Sequence, residues 1–576
     1  MILHALYDYY QRKAADSEST IAPEGLQWQE IKFIIVIDKD GCFVDLDDTR
    51  GDDNKGKRFL VPKSQKRPGL KSWQTAFLLW DHYGYVLGHA KDNTEKAHTM
   101  AQLQYESFVK QLKALPTLLK KDAGVAAVLS FYENGQAERV KQHARWNECT
   151  KIPGCNLTFR LLGERDVIPE RKAVKEYITS QVNAVAAPDA VTGRCLITGE
   201  ISPISRLHTA TPIWGSKSNA TLVAFQRKSG YDSYGKEQAF NAPISRSAES
   251  AYTTALKELL SSQENRIVIG ETTFVFWAQK KSNKNNGFNL ESNFTWYFSD
   301  SKDDPDRNIK AVKGLYQSIF SGHLSNSSDR FYVLALAPNA ARITVRLFLE
   351  GTCQDFAEKI KQHFDDLEII RSPFDPEYLS LYRLLASTAL EDKLDRVPPN
   401  LIASVAESIL DGSPYPAVLM QQCIRRIRAE RQVTRTRAAI MKAYLNRIKR
   451  CTRTNEKEIT MGLDPDNTNP GYLLGRLFAV LEKIQEEANP GINATIRDRY
   501  FGAASTSPVA VFSQLLKLKN HHLSKLDNPG RRVNFEKAIG EIIEKLNDFP
   551  AHLAMTEQGY FSIGYYHQRQ DFFSSK

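Results

Sequence analysis

Apolar residues follow two different patterns along the chain, and the change between them lies near residue 370. Before that point, short apolar runs bounded by polar and turn-forming residues predict β-strands. The clearest of these runs are Phe33–Ile37, Phe331–Leu336 and Ile343–Leu349. Residues 267–277 form another run, with Gly270 and Glu271 near its middle, and predict a β-hairpin. Helical spacing between these strands appears once clearly, at Ala248–Leu260.

Residues 280–305 interrupt the apolar runs. They are rich in Asn, Lys and Asp, and this composition predicts an exposed loop.

Beyond about Pro376 the strand pattern gives way to apolar positions at helical spacing. Asn469 and Pro470 supply an N-cap and a first-turn proline for one of the predicted helices. The predicted helices are Leu379–Leu390, Asn400–Leu410, Ala417–Arg450, Leu473–Ala488, Val509–Lys525 and Asn534–Asn547. We therefore predict an α+β protein: a mixed N-terminal domain over 1–370 with several short antiparallel strands, a basic helical segment over 371–460, and a helical bundle over 461–576.

Composition is that of a folded, basic protein. The 576 residues are 42% hydrophobic and 10% aromatic, and they carry a formal net charge of +10. A positive balance favours polyanionic partners such as nucleic acid. No apolar run approaches the roughly 20 residues that span a bilayer, and the start lacks a secretory signal, so we expect a cytoplasmic protein without a membrane partner. The seven cysteines are scattered, which favours free thiols.

One segment accounts for the whole charge excess. Between Gln421 and Arg453 there are nine arginines and two lysines, and Glu430 is the only acid, so the segment carries +10. Its apolar residues recur at helical spacing. Arginine is suited to binding phosphate, because its guanidinium forms bidentate hydrogen bonds with phosphate oxygens. A solvated helix face is the alternative interpretation, but like charges one turn apart cost stability. The residues predicted to bind phosphate or a displaced strand are Arg425, Arg426, Arg428, Arg431, Arg435, Arg437 and Arg447.

No catalytic constellation, metal site or cofactor site is evident in the sequence. The string 210–218 has Ala and Ser where a phosphate-binding loop requires Gly and Lys. Cys149 and Cys155 lack a second pair of ligands at zinc spacing. We therefore predict a protein that is not an enzyme and holds no metal or cofactor.

Four loops have the composition of contact loops. The first, 61–72, places Lys66, Arg67 and Lys71 among prolines and a glycine, from where they can reach phosphates or base edges. The others are 214–219, 234–245 and 338–342, which are rich in Asn, Gln and Ser amides and hydroxyls. Ordinary turns held by Asx and Gly chemistry are the alternative for each.

At these loops the chain resembles a known family, the large subunit of the type I-C CRISPR Cascade surveillance complex. Each matching string is weak alone, but together they occur in the expected order along nearly the whole chain. Among them are Arg58-Phe-Leu-Val-Pro62, Cys195-Leu-Ile-Thr-Gly-Glu200, Asn241-Ala-Pro-Ile-Ser245, Ala251-Tyr-Thr-Thr-Ala-Leu256, Pro338-Asn-Ala-Ala-Arg342 and Gly475-Arg-Leu-Phe-Ala-Val-Leu481.

The resemblance implies a non-catalytic role in antiviral defence. Such a subunit recognises the protospacer-adjacent motif (PAM) in double-stranded DNA, aids strand opening to the R-loop, stabilises the displaced strand and recruits a helicase–nuclease. Its partners would be the backbone and crRNA-end subunits of the guide-RNA ribonucleoprotein, small subunits and target DNA. The residues expected to contact the motif duplex are Lys66, Arg67, Lys71, Lys217, Asn219, Asn241 and Ser245.

The resemblance also implies that the C-terminal part is made separately as a small subunit, from an internal start at Met461. Two rival hypotheses remain. A nuclease could use carboxylates that the sequence does not group, and a scaffold could use the arginines only to pack on RNA or sister subunits.

Overall fold

The computed structural model of the chain describes residues 1–16, 19–52, 54–65, 67, 69–183, 191–226, 233–279, 290–299, 305–321, 329–454 and 456–573. The chain divides into two compact units. The first comprises Met1–Pro212, Ser216–Glu258 and Asn339–Ile343, and the second Ile213–Gly215, Leu259–Pro338 and Thr344–Lys576. The boundaries predicted at residues 370 and 460 both lie inside the second unit, so the division by compactness differs from the division by sequence pattern.

The first unit combines short strands with helices of very different length. Its helices are α1 (Ile2–Ala15), α2 (Tyr83–Leu87), α3 (Glu95–Lys113), α4 (Thr117–Lys120), α5 (Ala123–Glu133), α6 (Ala137–Lys141), α7 (Trp146–Thr150), α8 (Lys172–Asn183) and α9 (Arg246–Ser261), of which the unit includes the part up to Glu258. Its strands are β1 (Leu26–Ile31), β2 (Phe33–Ile37), β3 (Phe43–Asp48), β4 (Lys57–Pro62), β5 (Trp80–His82), β6 (Asn156–Leu161), β7 (Thr192–Arg194) and β8 (Ile201–Pro203).

Strand β2 lies in the middle of the main sheet of the first unit, whose strand order is β3-β2-β6-β5. All five of its residues are buried, which confirms the strand predicted at Phe33–Ile37. It pairs with β6 in parallel and with β3 in antiparallel orientation. The parallel pair requires a long crossover, and helices α2 to α7 lie within it. Smaller antiparallel pairs join β1 with β4 and β7 with β8.

The second unit begins with a sheet and continues with helices. Its strands are β9 (Arg266–Ile269), β10 (Thr272–Ala278), β11 (Arg330–Asn339) up to Pro338, and β12 (Arg342–Thr352) from Thr344 onward. Its helices are α10 (Leu290–Phe298), α11 (Pro305–Phe320), α12 (Cys353–Leu367), α13 (Leu381–Ala386), α14 (Pro399–Asp411), α15 (Ala417–Glu430), α16 (Arg435–Thr452), α17 (Pro470–Ala488), α18 (Ile496–Ala504), α19 (Val509–Ser524), α20 (Pro529–Ile543) and α21 (Met555–Asp571).

The sheet of the second unit confirms three sequence predictions. Its order is β12-β11-β10-β9, and β10 pairs with both β9 and β11 in antiparallel orientation. The predicted hairpin turns at Gly270, whose φ of +57° is favoured by glycine. The strands predicted at 331–336 and 343–349 lie within β11 and β12. With helices dominating after Thr352, this arrangement confirms the α+β class.

The loop predicted at 280–305 is wrong where the structure describes it. Residues 290–298 form helix α10, which buries Leu290, Phe294, Tyr297 and Phe298. These four side chains fall at helical spacing and form an apolar face, although the longer stretch 280–305 is polar in composition. Residues 280–289 and 300–304 lie outside the described part of the chain.

The helices predicted after Pro376 are confirmed, with changes at their ends. Asn469 caps α17 by accepting the Tyr472 amide at 3.0 Å, and Pro470 is its first residue. The helix predicted over 417–450 is two helices, α15 and α16. Arg431 adopts the left-handed conformation, with φ of 55°, and ends α15, while Thr434 caps α16. Helices α18 and α21 were not predicted.

Helices α17 and α21 form the closest helix pair of the C-terminal region. A Cβ atom on Gly475 would lie 2.0 Å from the Phe561 carbonyl, and one on Gly564 would lie 2.1 Å from the Tyr472 carbonyl. Glycine at these positions lets the two backbones touch. One apolar interior runs from Ile267 in β9 to Tyr566 in α21. None of the helices in the described ranges has the length and apolarity needed to cross a membrane.

Candidate nucleic-acid interface

Helix α15 carries two of the exposed arginines of the predicted basic stretch. Ile427 packs into the interior, and the opposite face leaves Arg425 and Arg428 exposed. Both arginines line an open groove of about 530 Å³, together with Ile424 and Met555. The groove therefore offers cationic walls and some apolar surface, a combination suited to an extended polyanion.

The end of α15 holds two more of the predicted arginines in different states. Arg426 forms an ion pair with Glu430, one turn further along the helix. Burial alone would raise the pKa of Glu430, but hydrogen bonds from Arg437 and Arg426 outweigh burial and lower it. Arg431 is exposed at the left-handed end of the helix. Arg425, Arg428 and Arg431 are therefore the exposed arginines of this helix end, while Arg426 is half-buried and neutralised.

Arg437 lies in the interior, at the start of α16. Its side chain is only 3% exposed, and its Nε donates to the Ser387 carbonyl at 2.9 Å. An ion pair of 2.5 Å to Glu430 balances its charge. A guanidinium that is enclosed and bonded in this way cannot contact a phosphate, so the structure contradicts the predicted role of Arg437.

Arg447 is the deepest of the predicted arginines, with 2% of its side chain exposed. Its Nε donates to Asp366 Oδ2 at 2.7 Å, and its Nη1 donates to the carbonyls of Ser408 and Ser413. The guanidinium also lies 4.2 Å from the centre of the Tyr415 ring. Every one of these partners belongs to the protein itself, so the prediction for Arg447 is corrected as well.

Arg435 is partly buried and also turned toward the protein. Its Nη2 donates to the Glu377 carbonyl at 3.2 Å, and its Nη1 donates to the Pro376 carbonyl. Burial lowers the pKa of this guanidinium, and Arg371 and Arg383 nearby act in the same direction. Arg435 therefore holds the segment before α13 in place rather than presenting its charge to a ligand.

The first predicted contact loop also turns an arginine inward. Arg67 lies between the rings of Phe77 and Tyr85, at 3.7 and 3.9 Å from their centres. Its Nε donates to the Thr75 carbonyl at 2.6 Å, and it forms an ion pair with Asp81. The predicted duplex contact at Arg67 is thus corrected, because the guanidinium holds its own loop.

Asp81 is the buried partner of this arginine. Burial raises the pKa of its carboxyl to about 6, although Arg67 and the amides of Phe77 and His82 favour the ionised form. Lys71, in the same loop, is exposed. Lys66 lies outside the described residues. Of the two predicted cations that lie among the described residues here, Arg67 turns inward and Lys71 is at the surface.

The second and fourth predicted loops come together. The Lys217 amide donates to the Ala340 carbonyl at 3.3 Å, and the Ile343 amide donates to the Thr221 carbonyl at 3.2 Å. These bonds fix the loop and leave the side chains of Lys217 and Asn219 exposed. Both side chains can therefore reach a ligand.

Asn241 and Ser245, in the third loop, serve the backbone instead. The side-chain amide nitrogen of Asn241 donates to the backbone carbonyls of Lys236 and Gln238, at 2.9 and 3.0 Å. Ser245 is 1% exposed, and its hydroxyl accepts from the Ala248 amide at 3.2 Å, as an N-cap of α9 does. The predicted base contact at Ser245 is wrong, because a cap at this depth is out of reach of a base. Asn241 is half-buried and shapes its own turn.

The sequence analysis missed Asp366, the carboxylate around which α16 is arranged. Only 4% of its side chain is exposed. Asp366 receives Arg447 and Arg450 on its two carboxylate oxygens, and its carbonyl accepts from Lys442 Nζ at 2.8 Å. In the structure, Arg447 ends a run of eleven consecutive buried positions of α16, where a charge requires an internal partner. No pattern in the sequence near Arg447 identifies Asp366 as that partner.

The described residues contain no group of three or more His, Cys, Asp or Glu side chains placed to hold a metal ion. In comparisons with known proteins, the family model described as CRISPR-associated protein (Cas_Csd1) matches residues 6–573. None of the curated proteins matches the chain.

Proposed function

We propose, because the chain belongs to the Cas_Csd1 family of CRISPR-associated proteins, that it is the non-catalytic large subunit of a type I-C Cascade. In that complex it recognises the protospacer-adjacent motif in double-stranded DNA and aids strand opening. It then stabilises the displaced strand and recruits the helicase–nuclease. Guide–target pairing supplies the remaining sequence specificity.

The observation that carries the proposal is the exposed charge of α15. Arg425, Arg428 and Arg431 reach the surface, and none of them has an acidic partner among the described residues. A guanidinium group forms bidentate hydrogen bonds with phosphate oxygens, and such contacts do not distinguish one base sequence from another. We assign these three residues to the displaced strand, whose sequence varies from target to target.

Lys71, Lys217 and Asn219 are the proposed contacts to the motif duplex. All three are exposed on loops of the first unit. An amide can both donate to and accept from a base edge, while a lysine reaches phosphates and base acceptors. The backbone bond between Lys217 and Ala340 limits the motion of this loop, which favours readout of a fixed geometry.

The decisive experiment uses the assembled complex with guide RNA on duplexes that differ only in the flanking motif. The double variant Lys217→Ala, Asn219→Ala should lose about tenfold or more of its preference for the correct motif, since one good base contact is worth about 1–3 kcal/mol. The exposed Lys96→Ala in the same unit is the control. Equal discrimination by the double variant and the native complex would place the motif reader elsewhere.

A separate incubation addresses the rival nuclease. The purified chain with DNA and Mg²⁺ should give no cleavage that survives repurification, whereas sustained cleavage would overturn the non-catalytic assignment.

We also propose that residues 461–576 are made separately as a small subunit from Met461. The segment is a set of five helices, α17 to α21, and its charge is balanced, with 13 basic and 13 acidic residues. A segment of this kind has the size and composition of a helical bundle. Mass spectrometry of the purified complex should find a chain that begins at Met461, and its absence would refute this proposal.

A further inference from the structure

The first unit contains a cavity of about 780 Å³ that the proposed DNA contacts do not use. Its walls come from the chain after β4, the segment 202–207 and the first turns of α9. Lys71, Lys217 and Asn219 are not among its lining residues.

One wall of the cavity is built to receive an anion. Helix α9 is 16 residues long, and its N-terminus carries the positive end of the helix dipole. Arg246, its first residue, is exposed, lines the cavity and has no side-chain partner among the described residues. Lys63, also on the wall, is paired with Glu249 at 3.4 Å. The net free charge at this wall is therefore that of Arg246.

Three residues that line the cavity carry polar atoms without a hydrogen-bond partner among the described residues. Ser250 lies one turn into α9 and is 8% exposed, and its hydroxyl has no hydrogen bond within the described part of the chain. Ser202 and Gln111 also line the cavity, but Ser202 Oγ and Gln111 Oε1 are enclosed in its wall, where they have no described hydrogen-bond partner. Buried polar groups are normally satisfied, so the Ser250 hydroxyl is an unpaired group that the cavity can offer to a polar ligand.

The remaining wall suits a flat ring. Tyr177 and Phe240 line the cavity and are only partly buried, so each residue keeps some accessible surface. Aromatic side chains stack on any nucleobase, because every base has a π-face. An anion site, an unpaired hydroxyl and aromatic surface thus lie around one space large enough for a nucleotide.

We propose that this cavity binds a nucleoside phosphate, with the phosphate at the start of α9 against Arg246 and Ser250 and the base beside Tyr177 and Phe240. The same chemistry is presented by a free mononucleotide and by one unit of a nucleic-acid strand.

The test is equilibrium binding to the full chain. The probes are deoxyadenosine 5′-monophosphate, deoxyadenosine without phosphate, and a five-nucleotide strand with either a 5′-phosphate or a 5′-hydroxyl. The variant Arg246→Glu should weaken binding of the monophosphate at least about tenfold, since charge-assisted hydrogen bonds are among the strongest polar contacts. Ser250→Ala, a small change that does not threaten folding, should weaken it about threefold. Arg139→Glu, an exposed arginine of α6 in the same unit, makes the same charge change away from the cavity.

Two outcomes support the proposal and separate the sources. Binding of the monophosphate that depends on Arg246 identifies a free or terminal nucleotide, and binding of the strand alone with the same dependence identifies an internal unit. The proposal is overturned if Arg246→Glu and Arg139→Glu behave alike with every probe, or if deoxyadenosine binds as well as its monophosphate. Motif discrimination by the assembled complex is read independently, so either proposal can fail alone.

Discussion

Helices α15 and α16 are neighbours in sequence and similarly rich in arginine, yet the structure uses their arginines in opposite ways. Arg425 and Arg428 on α15 are exposed beside a groove. Arg437 and Arg447 on α16 are buried and bonded to carbonyl and carboxylate oxygens. The difference arises from packing, because α15 has a free face while α16 is surrounded by α12, α13, α15 and α21. Charge density in a sequence therefore does not separate arginines that bind a ligand from arginines that hold a fold.

The buried arginines of α16 connect segments that are far apart in sequence. Arg447 joins α16 to Asp366 at the end of α12 and to the chain around Ser408. Arg437 reaches Ser387, beyond α13. A buried charge is costly unless it is paired and hydrogen-bonded, so the bonds that Arg437 and Arg447 do form favour this arrangement of the helices. On α15, Arg428 donates to Gln558 of α21 at 2.6 Å, but its guanidinium stays exposed, and Arg425 has no hydrogen-bond partner among the described residues.

The largest effect expected from this comparison is on folding. Arg447→Ala leaves Asp366 buried with Arg450 as its remaining cation, and breaking a buried ion pair costs about 3–5 kcal/mol. We expect a corresponding decrease in the free energy of unfolding, measured by denaturant titration of the full chain. The matched control is Arg425→Ala on α15, which should change stability by no more than about 0.5 kcal/mol. Equal decreases in the two variants would contradict the contrast between the helices.

A smaller effect is expected from pH. His567 is fully buried, and burial, reinforced by Lys442 of α16, lowers its pKa from 6.5 to about 3. Below pH 6.5 the unfolded chain binds a proton at this histidine and the folded chain does not. Stability is therefore complete above pH 6.5 and falls as the pH decreases, by about 2 kcal/mol at pH 5.

The variant His567→Gln removes this proton and should flatten the decrease in stability between pH 6.5 and pH 5 by that amount. The exposed His552→Gln is the comparison variant. The measurement is denaturant unfolding at both pH values. If the stability of His567→Gln fell between pH 6.5 and pH 5 as steeply as that of the native chain, burial of His567 beside α16 would not be what keeps this histidine neutral.

The smallest effect on stability, with a clear effect on binding, is expected on α15. Reversing both Arg425 and Arg431 to Glu should leave the free energy of unfolding within about 0.5 kcal/mol, because both side chains are exposed and have no hydrogen-bond partner among the described residues. In the assembled complex it should weaken binding of target DNA and reduce the slope of log affinity against log salt by about 2, one for each phosphate that the arginines no longer bind. Arg499→Glu, an exposed arginine of α18, is the control. A salt slope equal to that of the native complex would remove α15 from the path of the displaced strand.

The first unit repeats the contrast on a smaller scale. Arg67 and Lys71 lie in one loop and were predicted to share a role. Arg67 is held between two rings and paired with Asp81, while Lys71 is exposed. The planar guanidinium can stack and donate several hydrogen bonds at once, and this makes it suited to a polar interior.

The sequence pattern predicted the elements well where residues close together in the chain determine the local structure. The buried strand β2, the hairpin at Gly270 and the cap of α17 by Asn469 all depend on residues close in sequence. The pattern failed where the polar composition of a longer stretch, 280–305, concealed the apolar residues of α10, and where a single left-handed residue, Arg431, ended a helix.

By itself the sequence determined the α+β class, the location of the basic stretch and, through its motifs, the resemblance to the family. It did so because strand alternation, helix spacing and charge are local properties of the chain. Only the tertiary structure decided which arginines of that stretch reach the surface. Their surroundings depend on residues such as Asp366 and Ser387, which lie far away in sequence and meet α16 only when the helices pack.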